Sequence, residues 1–330
     1  SDMRFARDMP FGRDMPLGHD MPFGREGNGK PKFESPPLPC IRKEKPMKIA
    51  ILGVWHVHAP DYTRTALAHG EVVGFFERND ALAEAFASHF GLPRFSTVEE
   101  LLSSDCEAVI VCSATKDHTA DIIAAAKAGK HIFTEKVLAL TDAECDAIEA
   151  AVDESGVTFV ISLFQKYIGS RKAVKAVADS GELGKINYLR FRNCHNGSTA
   201  GWLPTHFFSQ KQCGGGAMID LGAHGMYLIH WLLGMPVSAS SAFTLACENP
   251  AANAKNTDGV EDNAVTVMSF EGGAIAINET GFVSRGYPSS LEVGGEKGYV
   301  RADNNGVVKA TADTGYKTVQ VEVGANQTTP

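Results

Sequence analysis

The chain has 330 residues, 44% of them hydrophobic, and a formal net charge of -8 at pH 7. A chain of this length can bury one large core or two ordinary ones, and two domains are expected. The negative charge, and the lack of any Lys/Arg run with interleaved aromatic residues, exclude a nucleic-acid surface as the main feature of the protein.

The seven cysteines are odd in number and include no Cys-x-x-Cys pair. They predict reduced thiols rather than a disulfide framework or a zinc site, and no metal ligands are expected. No stretch of the sequence approaches the roughly 18 apolar residues of a membrane span, and no secretory signal is recognisable. We therefore expect a cytoplasmic protein with no membrane partner.

The first 46 residues differ in composition from the rest. Residues 8–25 repeat a hexapeptide three times, with Pro and Gly in every unit, which predicts a low-complexity tail without regular structure. Residues 24–30 fit the phosphate-loop spacing, but no strand precedes them and Pro31 stands where Ser or Thr would hold magnesium. We interpret that match as accidental and expect the folded part to start at Met47.

From Met47 onward, short apolar strands alternate with helices. This alternation predicts a parallel sheet covered by helices on both faces, and so a doubly wound Rossmann domain over residues 47–165. The predicted strands span 48–52, 72–76, 108–112, 131–134 and 157–163, and the predicted helices span 59–68, 81–90, 119–128 and 143–155.

The regular alternation of strands and helices ends after Phe164. Helices are predicted over 171–180 and 218–233, with a strand over 186–194 between them, and residues 237–323 are predicted to be almost entirely strands separated by turns. The second domain, assigned to residues 166–330, is therefore expected to be α+β with a largely antiparallel open sheet.

The turn after the first predicted strand has the form expected of a dinucleotide site. A strand, Gly53 and a helix in succession direct free backbone N–H groups and the positive end of a helix dipole at a pyrophosphate. Only the first glycine of G-x-G-x-x-G is present, which makes the motif a weak signal by itself. Trp55 and His58 should narrow the approach to the phosphates, and His56 or His58 could contact phosphate or substrate, with Val57 between them.

Two residues at the end of the second predicted strand bear on cofactor choice. Glu77 is placed to accept the ribose hydroxyls, which favours NAD because a carboxylate repels a 2′-phosphate. Arg78 beside it leaves NADP open as an alternative.

Three later segments carry a family resemblance. Residues 128–136 (Ala-Gly-Lys-His-Ile-Phe-Thr-Glu-Lys) are similar to A-G-K-H-V-x-x-E-K-P, and residues 214–234 to G-G-G-x-x-x-D-x-G-x-H followed by W-L-L-G. Residues 113–118 resemble a T-P-N-x-x-H strand end. On these motifs, residues 47–323 resemble the glucose-fructose oxidoreductase and inositol dehydrogenase family (Gfo/Idh/MocA).

The resemblance implies an NAD(P)-dependent dehydrogenase or reductase that moves a hydride between nicotinamide and a sugar, polyol or related hydroxy or carbonyl compound. It also implies a homodimer or homotetramer formed through the C-terminal sheet. Carried over to this chain, the catalytic residues are Lys136, Asp220 and His224. The implied cofactor-binding residues are Gly53, Trp55, His56, Val57, Glu77, Arg78, Ser113, Ala114, Thr115, His118 and Glu135. Lys166 falls where family members often place a basic residue that binds substrate. The candidate substrate-binding residues are Lys136, Lys166, Tyr167, Asn196, Trp202, His206 and His224.

Two departures from the family pattern matter, besides the reduced glycine motif. Val137 replaces the proline of E-K-P, which bears on how the backbone directs Lys136. The sequence also stops at Pro330 without the long C-terminal helix of many members, which leaves open whether the chain is truncated at its C terminus.

The chemistry explains the choice of residue types. Oxidising a secondary alcohol releases a hydroxyl proton, and reducing a carbonyl requires one, so Lys136 could serve in either direction. His224 is the natural base near neutral pH, and Asp220, one helical turn earlier, could orient its ring or stabilise its charged form.

Each assignment has a plainer alternative. A lone Asp-x-x-x-His is usually an ordinary intrahelical pair, and His118, His131 and His206 are more often structural. A metal-dependent hydrolase is one rival function, with His56 and His58 as ligands and Lys136 bridging. A cofactor-binding sensor or scaffold without turnover is another.

Overall fold

The computed structural model describes residues 45–326. Within that range the chain forms one five-stranded sheet and one eight-stranded sheet. The hexapeptide repeats and the phosphate-loop-like spacing lie outside the described residues. Among the described helices, none has both the length and the apolar character needed to cross a bilayer.

The N-terminal sheet is wholly parallel, with strand order β2-β1-β3-β4-β5. Helices cover both faces, because the right-handed crossovers run in one direction from β1 to β2 and in the opposite direction from β2 to β3 and onward. The strands are β1 (Lys48–Leu52), β2 (Glu71–Phe76), β3 (Ala108–Val111), β4 (His131–Thr134) and β5 (Phe159–Ile161), and the helices are α1 (Ala59–His69), α2 (Asp80–Phe90), α3 (Val98–Ser103), α4 (Thr115–Lys127) and α5 (Asp142–Ser155).

Two apolar clusters, one on each face, hold this sheet. Ile51 and Phe75 pack against α1 and α2 on one face, and Leu52 and Val109 pack against α4 and α5 on the other. Successive strand residues point to opposite faces, so strands buried on both sides are apolar at nearly every position. The carboxyl ends of β1, β3 and β4 consequently meet at one edge.

The C-terminal half contains a mixed sheet. Its order is β13-β12-β11-β10-β6-β9-β8-β7, with β6 and β9 parallel and the other neighbours antiparallel. The helices are α6 (Gly169–Asp179), α7 (Gln210–Cys213), α8 (Ala223–Leu233) and α9 (Pro250–Lys255), and the strands are β6 (Ile186–Cys194), β7 (Ser238–Thr244), β8 (Asn263–Ser269), β9 (Ile275–Gly281), β10 (Ser290–Gly295), β11 (Gly298–Asp303), β12 (Gly306–Thr311) and β13 (Val319–Gln320).

One face of this second sheet is covered and the other is open. Val174 of α6 and Leu228 of α8 belong to the same buried cluster as Leu189 and Phe191 of β6. On the opposite face, side chains such as Ile275 remain exposed. The α+β character of the second domain follows from these two helices lying on one side of the sheet.

The predicted fold class is confirmed, and the differences are local. Helix α4 begins at Thr115, four residues before the predicted start. Its first turn is polar and has no apolar periodicity, so the sequence pattern did not reveal it. The six-residue helices α3 and α9 were not predicted, since they are too short for periodicity to reveal. One continuous helix was predicted over 218–233. The structure instead has a π-helical turn, Met218–Gly222, followed by α8.

Candidate active site

An ion pair joins the two halves of the chain at the carboxyl edge of the parallel sheet. Lys136 lies two residues after the end of β4, and its Nζ lies 2.5 Å from Asp220 Oδ1 and donates to the Asp220 carbonyl oxygen at 2.9 Å. Only 4% of the Lys136 side chain and 15% of the Asp220 side chain are exposed. Burial raises the pKa of the Asp220 carboxyl, but the Lys136 ammonium outweighs it and leaves that pKa below its usual value.

A partly buried glutamate and a glycine fix the segment that carries Asp220. The Glu261 carboxylate accepts the N–H groups of Gly216 at 3.1 Å and Met218 at 2.9 Å. A Cβ on Gly216 would lie 1.8 Å from the Glu261 carbonyl oxygen, so only glycine fits there. The third glycine of the Gly-Gly-Gly motif is therefore needed for a close backbone approach that places Asp220.

His224 is held by an aromatic neighbour on its own helix. Its Nδ1 lies 2.8 Å from the Tyr227 hydroxyl, and the ring of Phe164 meets it edge-on at 4.9 Å. Burial, followed by the nearby Lys136 charge, lowers the pKa of His224 to about 3. The imidazole is therefore neutral near pH 7.

Glu135, the residue before Lys136, is fully buried and accepts several hydrogen bonds. Its Oε1 lies 2.5 Å from His58 Nδ1 and accepts the Tyr62 hydroxyl at 2.5 Å, while Oε2 accepts the Lys136 peptide N–H at 2.6 Å. Burial alone would raise the pKa of this carboxyl, but the His56 and His58 rings hold it well below its usual range. Glu135 thus supports the lysine through its backbone.

His56, His58 and Glu135 form a group whose candidate ligand atoms all lie within 4.8 Å of one another, close enough to hold a metal ion. Hydrogen bonds already engage one atom of each side chain. His56 Nδ1 accepts the His58 peptide N–H at 3.2 Å, and Glu135 Oε1 bonds to both His58 Nδ1 and the Tyr62 hydroxyl. These contacts link the three side chains in one hydrogen-bond network.

The turn after β1 has the geometry of a phosphate site. Gly53 has φ +85°, and a Cβ there would lie 2.5 Å from the Ser113 backbone. The N–H of Val54 donates to Glu77 and that of His56 to the Cys112 carbonyl oxygen. Within residues 45–326, the N–H groups of Trp55 and Val57 donate to no partner. This turn fits a dinucleotide pyrophosphate, which free N–H groups at a helix start bind well.

The residues after β2 are engaged in two different ways. Glu77 is buried and accepts the N–H groups of Val54 at 2.7 Å and Asn79 at 2.8 Å. Arg78 makes a two-pronged pair with Asp121 of α4, at 3.0 and 2.5 Å. The guanidinium is therefore held by a carboxylate and is not free for a 2′-phosphate.

Trp55 stands at the second glycine position of the fingerprint and bridges the two domains. Its ring lies 4.4 Å from His206 and 5.4 Å from Phe207, and its indole N–H donates to Gln212 at 2.7 Å. The indole packs between the two domains.

The other predicted cofactor residues lie at the end of β3 and the start of α4. Ser113, Ala114 and Thr115 are buried beside the Gly53 turn. The His118 ring nitrogens face the carbonyl oxygens of Ser113 at 3.0 Å and Val137 at 2.8 Å. His118 therefore ties α4 to the segment after Lys136.

The predicted substrate residues are more scattered. Lys166 Nζ lies over the Trp231 ring at 5.6 Å, Tyr167 is half exposed, and the Trp202 indole donates to Asn196 at 3.2 Å. None of these hydrogen-bonds to Lys136 or Asp220 within the described range. His206 is nearer, against Trp55, and burial lowers its pKa to about 4.

Beside Lys136 a cleft of about 550 Å³ opens between the two sheets. Leu163 and Ile161 line it from the end of β5, and Met226 and Tyr227 line it from α8. Its wall is mainly apolar, with the Lys136 side chain at one end.

Three residues of the site were missed from the sequence. Tyr227 contacts His224, Tyr62 contacts Glu135, and Glu261 holds the Asp220 segment. The contact between Tyr227 and His224 could have been predicted, because residues three positions apart lie on the same face of a helix. The other two depend on contacts between residues more than 40 positions apart, which no local pattern reveals.

Comparisons with known proteins agree with this geometry. Residues 47–163 match the oxidoreductase family with an NAD-binding Rossmann fold, and residues 172–301 match the GFO/IDH/MocA C-terminal domain. The chain is 30% identical over 202 residues to an uncharacterised oxidoreductase, YrbE, of Bacillus subtilis, covering 61% of this chain and 56% of that one. The matched region thus spans little more than half of that relative.

Two further relatives have a stated activity. A Bacillus subtilis scyllo-inositol 2-dehydrogenase (NAD(+)) is 28% identical, over 78% of this chain and 74% of its own. The structure of a levoglucosan dehydrogenase with NADH and levoglucosan superposes with a TM-score of 0.68 at 21% identity, over 83% and 80% of the two chains. With both of its domains matched, the chain belongs to the Gfo/Idh/MocA oxidoreductase family and has its NAD-binding Rossmann domain.

Proposed function

We propose that this protein transfers a hydride between NAD and a sugar, polyol or related hydroxy or carbonyl compound. The observation that carries the proposal is the buried Lys136–Asp220 pair, next to His224, at the carboxyl edge of the NAD-binding sheet. A lysine, a carboxylate and an imidazole drawn from two domains converge where a nicotinamide and a substrate would meet. Relatives named for inositol and levoglucosan support the substrate class.

Each of the three groups has a separate task. Bound nicotinamide supplies the hydride chemistry, and the protein supplies position and proton handling. Lys136 Nζ exchanges the proton of the substrate oxygen, and Asp220 holds that amine in place and offsets its charge. His224 contacts the same oxygen from the other domain.

The cofactor and substrate contacts extend outward from this centre. The free N–H groups of Trp55 and Val57 bind the pyrophosphate, and Glu77 faces the ribose. Lys166, Asn196, Trp202 and His206 remain the candidates for the substrate wall. The apolar cleft beside Lys136 provides space for the ligand.

The open face of the C-terminal sheet forms the contact between subunits. Tyr188, Val267, Ile275 and Tyr299 are each 37–46% exposed, and strand register puts them on one face. An uncovered apolar sheet face is a typical association surface. Light scattering should give a dimer or tetramer, and Ile275→Glu should shift it toward the monomer. A monomeric wild-type protein would contradict this assembly.

Lys136→Ala is the decisive test. We expect it to lower turnover by at least about 100-fold, since general acid–base groups contribute that much, while NADH binding largely persists. Lys127→Ala, which removes an exposed lysine of α4, is the matched control and should retain wild-type rates. Substrates should be screened as polyols, sugars and dihydrodiols, with NADH binding followed by fluorescence. Normal rates in Lys136→Ala would refute the mechanism, and NADH binding without turnover of any substrate would favour a sensor role.

A further inference from the structure

We infer that Tyr227 is a positioning residue that fixes the ring proton of His224 on Nε2, so that His224 serves as an N–H donor to the substrate oxygen and not as a base. This inference rests on the proposed function for its consequence in catalysis. Its structural part, the placement of one proton, stands on the contacts of Tyr227 and the burial of the His224 ring.

The hydrogen bonds around the Tyr227 hydroxyl determine the direction of donation. Its oxygen accepts the peptide N–H of Gln165 at 3.1 Å and lies 2.8 Å from His224 Nδ1. A phenol has one proton to donate and accepts well in the plane of its ring. With its acceptor position taken by Gln165, the hydroxyl directs its own proton at Nδ1.

The protonation state of His224 completes the assignment. The ring is nine-tenths or more buried, between Phe164 and Tyr227, and burial together with Lys136 disfavours the charged form. A neutral imidazole carries a single ring proton. Because Nδ1 accepts from Tyr227, that proton lies on Nε2, which bonds to no partner within residues 45–326.

The obvious alternative orienting group is occupied. Asp220 lies one helical turn before His224, but its Oδ1 and its carbonyl oxygen both accept Lys136 Nζ. The carboxylate therefore orients the lysine, and the phenol orients the imidazole. The sequence-based expectation that Asp220 orients the His224 ring is not supported by these contacts.

The consequence is a division of labour at the substrate oxygen. In the oxidation direction Lys136 Nζ first releases a proton to water. The O–H proton of the substrate then passes to that amine, the C–H hydride leaves to the cofactor, and a C=O bond forms. His224 Nε2–H donates a hydrogen bond to that oxygen throughout and keeps its proton. In the reduction direction the same N–H polarises the carbonyl, while Lys136 returns the proton.

Two substitutions at His224 separate a donor from a base. His224→Gln keeps an N–H near the position of Nε2 but cannot accept a proton, whereas His224→Leu removes both abilities. A donor role predicts that His224→Gln retains a rate within about tenfold of wild type while His224→Leu loses about 100-fold or more. Equal losses in the two variants would overturn the donor role.

Tyr227→Phe tests the positioning without altering the ring. Nitrogen-15 NMR of the ligand-free protein should show the His224 proton on Nε2 in wild type, and a mixture of the two ring forms in Tyr227→Phe. We also expect kcat to fall by about tenfold, with a smaller change in KM, because one hydrogen bond that orients the ring is lost.

The NMR result is independent of turnover, so it distinguishes this inference from the proposed function. A wild-type proton on Nδ1, or a spectrum unchanged in Tyr227→Phe, would overturn the inference even if the protein is a dehydrogenase. An Nε2 proton in a protein without dehydrogenase activity would keep the positioning and refute only the catalytic role.

Discussion

Lys136 and Asp220 form a buried ion pair at 2.5 Å whose two members belong to different domains. Lys136 lies two residues after strand β4 of the Rossmann sheet, and Asp220 lies in the π-helical turn before α8. Removing water from two charges is costly, and their attraction offsets that cost only while both are present. The pair therefore couples domain docking to the chemistry of the site.

The first prediction concerns this coupling. Lys136→Met or Asp220→Leu alone should destabilise the protein by about 3 kcal/mol, since each leaves a buried charge unpaired. The double variant should cost much less than the sum of the two, while remaining inactive. Urea unfolding of the four proteins gives the coupling free energy. The same cycle at Lys175 and Asp179, a more exposed helical pair, should give no more than about 0.5 kcal/mol.

Additive losses at Lys136 and Asp220 would show that the pair is not a buried unit. A coupling as small as that of the exposed pair would mean that water reaches both charges.

Local sequence rules predicted the scaffold well and the contacts of the site poorly. Apolar strands between amphipathic helices identified the parallel sheet, and Gly53 marked its first turn, because both depend on neighbouring residues. The partner of His224 was assigned to Asp220 by helical spacing, but Tyr227 has an equally suitable spacing and the contact. Spacing alone cannot choose between them, since the choice depends on Lys136 arriving from another domain.

A second prediction concerns stability in mild acid. Burial lowers the pKa values of His56 and His224 to about 3 and that of His206 to about 4, from an ordinary 6.5. The unfolded chain therefore binds more protons below pH 6.5, so the free energy of unfolding should fall as pH drops from 6.5 toward 4. Each ring contributes up to about 1.4 kcal/mol per pH unit in that window.

His206→Phe isolates one of these contributions. We expect the slope of unfolding free energy against pH, measured between pH 6.5 and 5, to become shallower by up to about 1.4 kcal/mol per pH unit. That change corresponds to one proton fewer taken up on unfolding. An unchanged slope would show that His206 titrates alike in the folded and unfolded states.

The third prediction concerns cofactor choice. Wild type should prefer NAD, because Asp121 holds Arg78 and Glu77 repels a 2′-phosphate. Asp121→Asn removes the charge that holds the guanidinium, and should raise affinity for NADP relative to NAD by about tenfold, or about 1.4 kcal/mol. Fluorescence titration with NADH and NADPH measures the ratio. Asp153→Asn, which removes an exposed carboxylate of α5, is the control and should leave the ratio unchanged.

The fourth prediction concerns the glycine that places Asp220. Gly216→Ala puts a methyl group 1.8 Å from the Glu261 carbonyl oxygen, so the backbone before Asp220 must move. We expect a loss of about 1–3 kcal/mol in stability and a fall in kcat of about 100-fold, since a displacement of about 1 Å at a reacting group can have that effect. NADH affinity should change little, because the Gly53 turn lies in the other domain.

Gly91→Ala provides the matched control for that substitution. Gly91 has φ +66° at the end of α2, and nothing lies within 4 Å of a Cβ built there. Its replacement should cost about 1 kcal/mol through backbone conformation alone and leave kcat unchanged. Gly91→Ala should therefore lower stability without lowering kcat, whereas Gly216→Ala should lower both. If Gly216→Ala retained wild-type kcat, the glycine would serve only packing, and the position of Asp220 would not depend on its contact with Glu261.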